Sequence, residues 1–175
     1  MQSITIVWKP IYIQGIPTPF YHEFLLYDDG VNTYYIRGGP GSGSSGGSEF
    51  SSSGTGSGPG TGPIVVEHGP YVPGTPDFPS GSDPFGTLDT WPQQNVISGD
   101  LDLSSIWSSM IDSAERIGAA RIPYNATERN SNSVAGTVLD ENGFTPPQPP
   151  VPTPSVSGAG PRKTMVRGGR GQPSV

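Results

Sequence analysis

A run of glycine and serine from Gly38 to Gly62, and a proline-rich stretch from Thr145 onward, limit what this chain can fold into. Neither segment can bury enough apolar surface to offset the conformational entropy lost on ordering, so both are expected to stay mobile and outside any core. They hold much of the 26 Gly and 21 Pro found in 175 residues. About 110 to 120 residues are left to build a core, enough for one ordinary domain. The expected organisation is a single α+β domain over residues 1–144 with a flexible Gly/Ser insertion at residues 38–62, then a disordered, basic, Pro-rich tail over residues 145–175. Closing a loop of about 25 residues costs roughly 3 kcal/mol in chain entropy, which a sheet can absorb, so the insertion does not divide the domain.

Charge is distributed unevenly. The formal net charge is −6, yet Arg162, Lys163, Arg167 and Arg170 all lie in the tail, which leaves the body more acidic than the total. An acidic body argues against a nucleic-acid surface there, while the basic tail is either a solvated terminus or a contact for an anionic protein partner. There is no cysteine, which excludes disulfides, thiolate catalysis and thiolate metal sites. "MQSITIVWKP" lacks the basic and apolar regions of a signal peptide, and no run of 18 apolar residues occurs. Neither a signal-peptide route nor a membrane span is expected; localisation is left between the cytoplasm and export by a signal-independent route.

The ordered part begins with Ser3 to Trp8, rich in β-branched residues, and Pro10 interrupts the pattern before "IYIQG" resumes. Because Pro10 cannot donate to a ladder, this strand is expected at a sheet edge. In "FYHEFLLYDDGVNTYYIRGGP" two aromatic and β-branched runs flank Asp28-Asp29-Gly30, a hairpin signal. Pairing about that turn is expected to bring His22 near Ile36 or Arg37. Ile64 to His68 reads as a further strand. In "DLDLSSIWSSMIDSAERIGAARI", Ile106, Met110, Ala114 and Ile117 share one helical face, with Asp102 or Ser104 as cap and Gly118 weakening the end. After an extended "RIPYN", Ser131 is expected to cap a last short helix carrying Val134, Val138 and Leu139 and ending at Gly143. The fold class is α+β, a small antiparallel sheet packed against two helices.

Without cysteine, a nucleophile must be Ser, Thr or Lys beside a base, and the chain has two histidines, His22 and His68. His22 stands on a strand among hydrophobic neighbours, where a histidine is commonly structural; His68 ends a strand beside Glu67. Close His pairs and clustered carboxylates are lacking, so no metal and no cofactor are expected.

The strand "YHEFLLYDDG", the strand "NTYYIRGGP" and the late "YNATERNSNSVAGTVL" together resemble the circularly permuted papain-like proteins, a group related to NlpC-type peptidases that includes the lecithin:retinol acyltransferase and PPPDE families. In those families the late motif is similar to Asn-Cys-x-x-Phe, with the cysteine as nucleophile at a helix N-terminus and the early strand histidine as its base. Carried over by position, the resemblance implies a papain-like permuted topology with Ser131 in the place of the cysteine, Val134 in that of the aromatic and His22 as base. It further implies a hydrolase or acyltransferase acting on an amide or ester, with a small molecule, a bacterial cell-wall peptide or a lipid as substrate.

Serine for cysteine changes the chemistry. A thiol ionises near pH 8.5, whereas a hydroxyl nearer water's 15.7 lies roughly 7 units higher, or about 10 kcal/mol. A helix N-terminus offers about 0.3 to 2 kcal/mol, so the dipole cannot make an alkoxide. His22 must therefore take the proton during attack, with the backbone N–H groups of Asn132 and Ser133 as candidate oxyanion donors. Tyr34 and Glu67 are candidates, by reach, to orient His22. Arg37, ahead of two glycines, is a candidate for a substrate carboxylate or phosphate, or a solvated strand-end charge. The competing reading makes Ser131 a helix cap worth about 1 kcal/mol, and the domain a non-catalytic binding module of the same fold, by analogy part of a secreted bacterial effector.

Overall fold

A computed structural model describes residues 1–13, 16–40, 62–79, 86–124 and 130–150; the side chains of Ile13, Pro17 and Ser131 are outside that description. Most of the expected Gly/Ser insertion, residues 41–61, and the tail from residue 151 also lie outside it. The fold is α+β: one five-stranded antiparallel sheet and two helices. The strands are β1 (Gln2–Ile13), β2 (Ile16–Asp28), β3 (Thr33–Pro40), β4 (Ile64–Pro70) and β5 (Gln93–Gly99), in the order β4-β3-β2-β1-β5. The helices are α1 (Ser104–Ala119) and α2 (Ser131–Glu141).

Strand alternation divides the buried residues between two faces. Ile4 and Ile6 of β1, Leu25 and Tyr27 of β2 and Ile36 of β3 point to the helices, where Met110 of α1 and Val134, Val138 and Leu139 of α2 cover them. The residues between, Val7, Phe24, Leu26 and Tyr35, point the other way and are covered by Tyr71 and Trp91. Both faces are thus closed, and β2 reads FYHEFLLY because each side of it needs apolar atoms. Burying each such side chain contributes about 1.5 to 3 kcal/mol.

Two expectations need correction, and a third holds in a shifted register. β1 is not an edge strand, since it pairs with both β2 and β5. Its ladder to β5 covers Gln2 to Val7, and Trp8 N donates to Pro92 O at 2.9 Å, so Pro10 falls beyond the stretch where a second partner would need its missing N–H. His22 does come near Arg37, both side chains reaching Asp77 Oδ2, but in a shifted register: Phe24 stands opposite Arg37, because the turn is longer than Asp28-Asp29-Gly30. The pairing closes at Asp28 and Thr33, and Asp29 Oδ1 accepts from Val31 N and Asn32 N, both at 2.7 Å. Finally, β3 continues through Gly38 and Gly39 to Pro40, opposite Val66, Val65 and Ile64, so residues 38–40 belong to the sheet rather than to the insertion. Glycine at 38 has a steric cause: a β-carbon there would run into Val134 Cγ2 and lie 2.7 Å from Val134 Cβ.

The helix ends follow from local hydrogen bonding. Asp102 Oδ1 accepts from Ser104 N at 2.9 Å at the start of α1. The α2 cap is Asn130, not Ser131: its Oδ1 accepts from Asn132 N and Ser133 N, and Asn130 N donates to Ser133 Oγ. Asparagine can do this because its side-chain carbonyl reaches the second and third amides of the turn that begins one residue later. Gly143, with φ of 81°, ends the helix in the left-handed region, and Phe144 N donates to Leu139 O at 3.0 Å.

Candidate functional site

His22 is 3 % exposed and lies on the sheet face away from the helices, its ring stacked on Phe24 at 6.1 Å between centroids. Lys9 pairs with it across β1, and Arg37 pairs with Phe24 across β3, so the ladder brings two cations to the same face. The anion comes from elsewhere in the chain. A turn in which Phe78 N donates to Thr75 O presents Asp77, with φ of 64°. A left-handed conformation at a non-glycine costs about 1 kcal/mol or more, and aspartate tolerates it better than most. Tyr71 OH holds the turn by donating to the Asp77 backbone oxygen at 2.9 Å.

Asp77 Oδ2 lies 2.9 Å from His22 Nε2 and 3.0 Å from Arg37 Nε, and its Oδ1 accepts from Lys9 Nζ at 3.1 Å. Burial pushes the Asp77 carboxyl upward, but His22, Arg37 and Lys9 outweigh it and hold the group well below the ordinary carboxylate range. Arg37 Nη1 also donates to Glu67 Oε2 at 3.2 Å. Asp77 against Nε2 favours a ring that carries a proton on that nitrogen.

On the helix face, the next residue of β2 is Glu23, 6 % exposed and paired with Trp8. Burial raises its carboxyl to about 7, with the Trp8 side chain and the charge of His22 acting in the opposite direction. The β2–β3 ladder stops at Phe24, and α2 enters where the strands part: the Glu23 backbone N–H donates to Asn132 Oδ1 at 3.1 Å. The first turn of α2 is therefore fastened to the strand residue that follows His22.

Of the residues singled out from the sequence, the strand of His22 and the start of α2 meet at this junction through Glu23 and Asn132, while the imidazole faces the sheet side opposite the one α2 packs on. Ser131 is the first residue of α2, one position before Asn132; its side chain lies outside the description. The N–H groups of Asn132 and Ser133, expected as oxyanion donors, both donate to Asn130 Oδ1. Tyr34 is not beside His22: it stacks on Tyr27 at 5.9 Å, further along the hairpin on the helix face. Glu67 reaches Arg37 rather than His22. Arg37 is buried at 8 % exposure between Glu67 and Asp77, neither a solvated strand end nor an open anion site, because the ladder turns its side chain onto the covered face. His68 contacts Glu115 of α1 at 3.1 Å.

Sequence reasoning missed Asp77, Lys9 and Glu23. Asp77 sits in "GTPDFP", where an acidic residue between prolines reads as turn chemistry; its one local signal is the flanking Phe78, whose ring packs on Tyr71. Among the described residues no group of three or more His, Asp or Glu side chains is placed to hold a metal ion, and no helix is long and apolar enough to cross a membrane. A groove of about 520 Å³ runs between β4 and α1, bordered by His68, Glu115 and Arg121, and does not include His22 or Asp77. Comparison with protein-family models, with curated proteins and with solved structures finds no match for this chain.

Proposed function

We propose that the chain is a hydrolase or acyltransferase of papain-like permuted topology, cleaving an amide or ester through Ser131 as nucleophile and His22 as base. The observation that carries this reading is the bond from Glu23 N to Asn132 Oδ1, which ties the opening turn of α2 to the strand beside the histidine. The His22–Asp77 contact supports it, because a buried carboxylate at Nε2 orients the ring and favours a proton on that nitrogen. In the first step Ser131 Oγ bonds to the substrate carbonyl carbon as His22 takes its proton. The tetrahedral species then expels the alcohol or amine, which receives that proton from His22. Water, or a second alcohol or amine, attacks the acyl-serine in the same way and restores the enzyme. The amino end of α2 favours the developing oxyanion by its partial positive charge. General-base assistance of this kind contributes about 10² to 10⁴ in rate.

One observation favours a second reading, a non-catalytic binding module. Asp77 is shared by Lys9 and Arg37 as well as His22, an arrangement that can serve purely to join the turn to the sheet. A serine-directed fluorophosphonate separates the two. Catalysis predicts covalent labelling of the full chain that vanishes in Ser131→Ala and slows at least about 100-fold in His22→Gln. A folded wild-type chain that takes up no label leaves the binding module standing.

A further inference from the structure

β4 is the last strand of the sheet, so one row of its backbone groups faces away from β3. Ile64 N points outward and donates to Ile122 O at 2.7 Å, while Tyr71 N points inward to Thr33 O at 2.8 Å. Alternation along the ladder therefore turns the N–H and C=O groups of Val66 and His68 outward as well. Among the described residues no strand pairs with them on that side. The chain itself shows what this edge accepts. Residues 122 to 124 lie antiparallel beside residues 62 to 64, with Tyr124 N donating to Gly62 O at 2.9 Å and a bridge between Pro63 and Pro123.

Next to that short pairing, β4 and α1 border the groove of about 520 Å³, a size within the range of ligand sites. At Gly118 a β-carbon would stand 3.5 Å from Val66 Cβ and 3.7 Å from Val66 N, so glycine brings the helix to the strand without a side chain over that amide. We infer that this groove binds an extended acidic peptide, which adds a strand at Val66 and His68 and sets a carboxylate on Arg121. Charge decides the ligand. Arg121 is exposed at the groove and pairs with no carboxylate among the described residues, whereas His68 and Glu115 lie 3.1 Å apart and engage each other. Arg121 also has φ of 49°, a conformation that glycine adopts at a helix end without strain and arginine does not. A peptide antiparallel to β4 carries its carboxyl end toward Ile64 and Arg121, so acidic residues there meet the guanidinium, whose paired N–H groups suit a carboxylate. Shape disfavours a second copy of this chain, because its β4 would arrive with α1 and residues 122 to 124 already against the edge that has to pair. A lone extended segment brings neither. The groove does not include His22 or Asp77, and the inference rests on neither reading of Ser131.

The test uses the full ¹⁵N-labelled chain and a synthetic acetylated peptide of alternating valine and threonine that ends in two aspartates. In the free chain the amide hydrogens of Val66 and His68 should exchange faster than that of Glu67, which faces β3. Equal protection without peptide means that another part of the chain or a second copy already covers the edge, and overturns the inference with no substitution involved. Added peptide should give saturable NMR shifts at Val66, His68, Gly118 and Arg121. Arg121→Gly, which relieves the backbone and should leave the fold at least as stable, is expected to weaken this peptide about tenfold. A peptide ending in two lysines should bind the wild type no better than the acidic one binds that variant. Gly118→Ala puts a methyl at ordinary contact distance from Val66 N and should weaken both peptides. Absence of shifts in the folded wild type, shifts confined to another face, or equal binding of the two peptides overturns the inference, as does an Arg121→Gly chain that binds the acidic peptide as the wild type does.

Discussion

Asn132 and Glu23 are joined by a 3.1 Å hydrogen bond from the strand amide to the helix side chain, at the point where β3 stops pairing with β2. A backbone N–H there would otherwise be left without its ladder partner, so the bond both satisfies the strand and fixes where α2 begins. The polar junction beside the buried Glu23 follows from that parting of the strands.

The cap of α2 predicts a difference between neighbours. Asn130→Ala removes the acceptor for the Asn132 and Ser133 amides and should cost about 1 kcal/mol of stability. Ser131→Ala, with that cap intact, should cost clearly less. Urea unfolding of both variants checks it, and equal losses would return the capping role to Ser131.

Asp77 joins the turn to Lys9, His22 and Arg37, so Asp77→Ala removes the carboxylate these groups share and should destabilise by about 3 kcal/mol. Its carboxyl is held below its ordinary value of 3.8, so the contribution is present above that pH and is lost as pH falls below it. Acid unfolding of the wild type should accordingly begin below about pH 4 with an Asp77-dependent component, absent from the variant. An acid limb unchanged in Asp77→Ala would deny the cluster this weight.

Glu23 acts in the opposite direction. Folding raises its carboxyl from 4.5 to about 7, so the folded state keeps a proton that the unfolded state has released across that window. Stability therefore falls as pH rises through it, by on the order of 3 kcal/mol at most, and levels off above. Glu23→Gln should flatten this slope in chemical denaturation at pH values on either side. A wild-type stability that does not fall through the window would contradict a burial of Glu23 that outweighs the Trp8 side chain and the charge of His22.

Gly38 and Val134 should behave as a coupled pair. Gly38→Ala forces a β-carbon into Val134 and should cost about 1 to 3 kcal/mol, much of it recovered when Val134→Ala is added. Additive losses in the double-mutant cycle would mean that α2 does not rest on β3 at this point.

Much of this architecture can be read from residue order. Period-two runs around His22 and Tyr35, the stripe of Met110 and Ala114 and the glycine stop at 143 each follow from local rules, and the corresponding elements are present. Less visible was β5, whose "QQNVISG" carries little apolar alternation because it is an edge strand with largely exposed residues. Pro10 misled by suggesting an edge, since the sequence does not reveal that the β5 ladder ends before reaching it. Within the candidate site, His22 and the start of α2 were recognisable by order along the chain. Asp77 was not, because its role depends on a Pro-rich turn folding back over the sheet, a non-local contact without periodic trace.

The hairpin of β1 and β2 outruns its neighbours: past Trp8 on one side and before Phe24 on the other, the two strands pair with each other and with no other described strand. A ribbon whose flanks carry no further strand among the described residues invites recruitment of foreign strands. Imino acids at Pro10 and Pro19 withdraw donors from those flanks, so the protrusion carries a built-in safeguard against polymerising edge to edge.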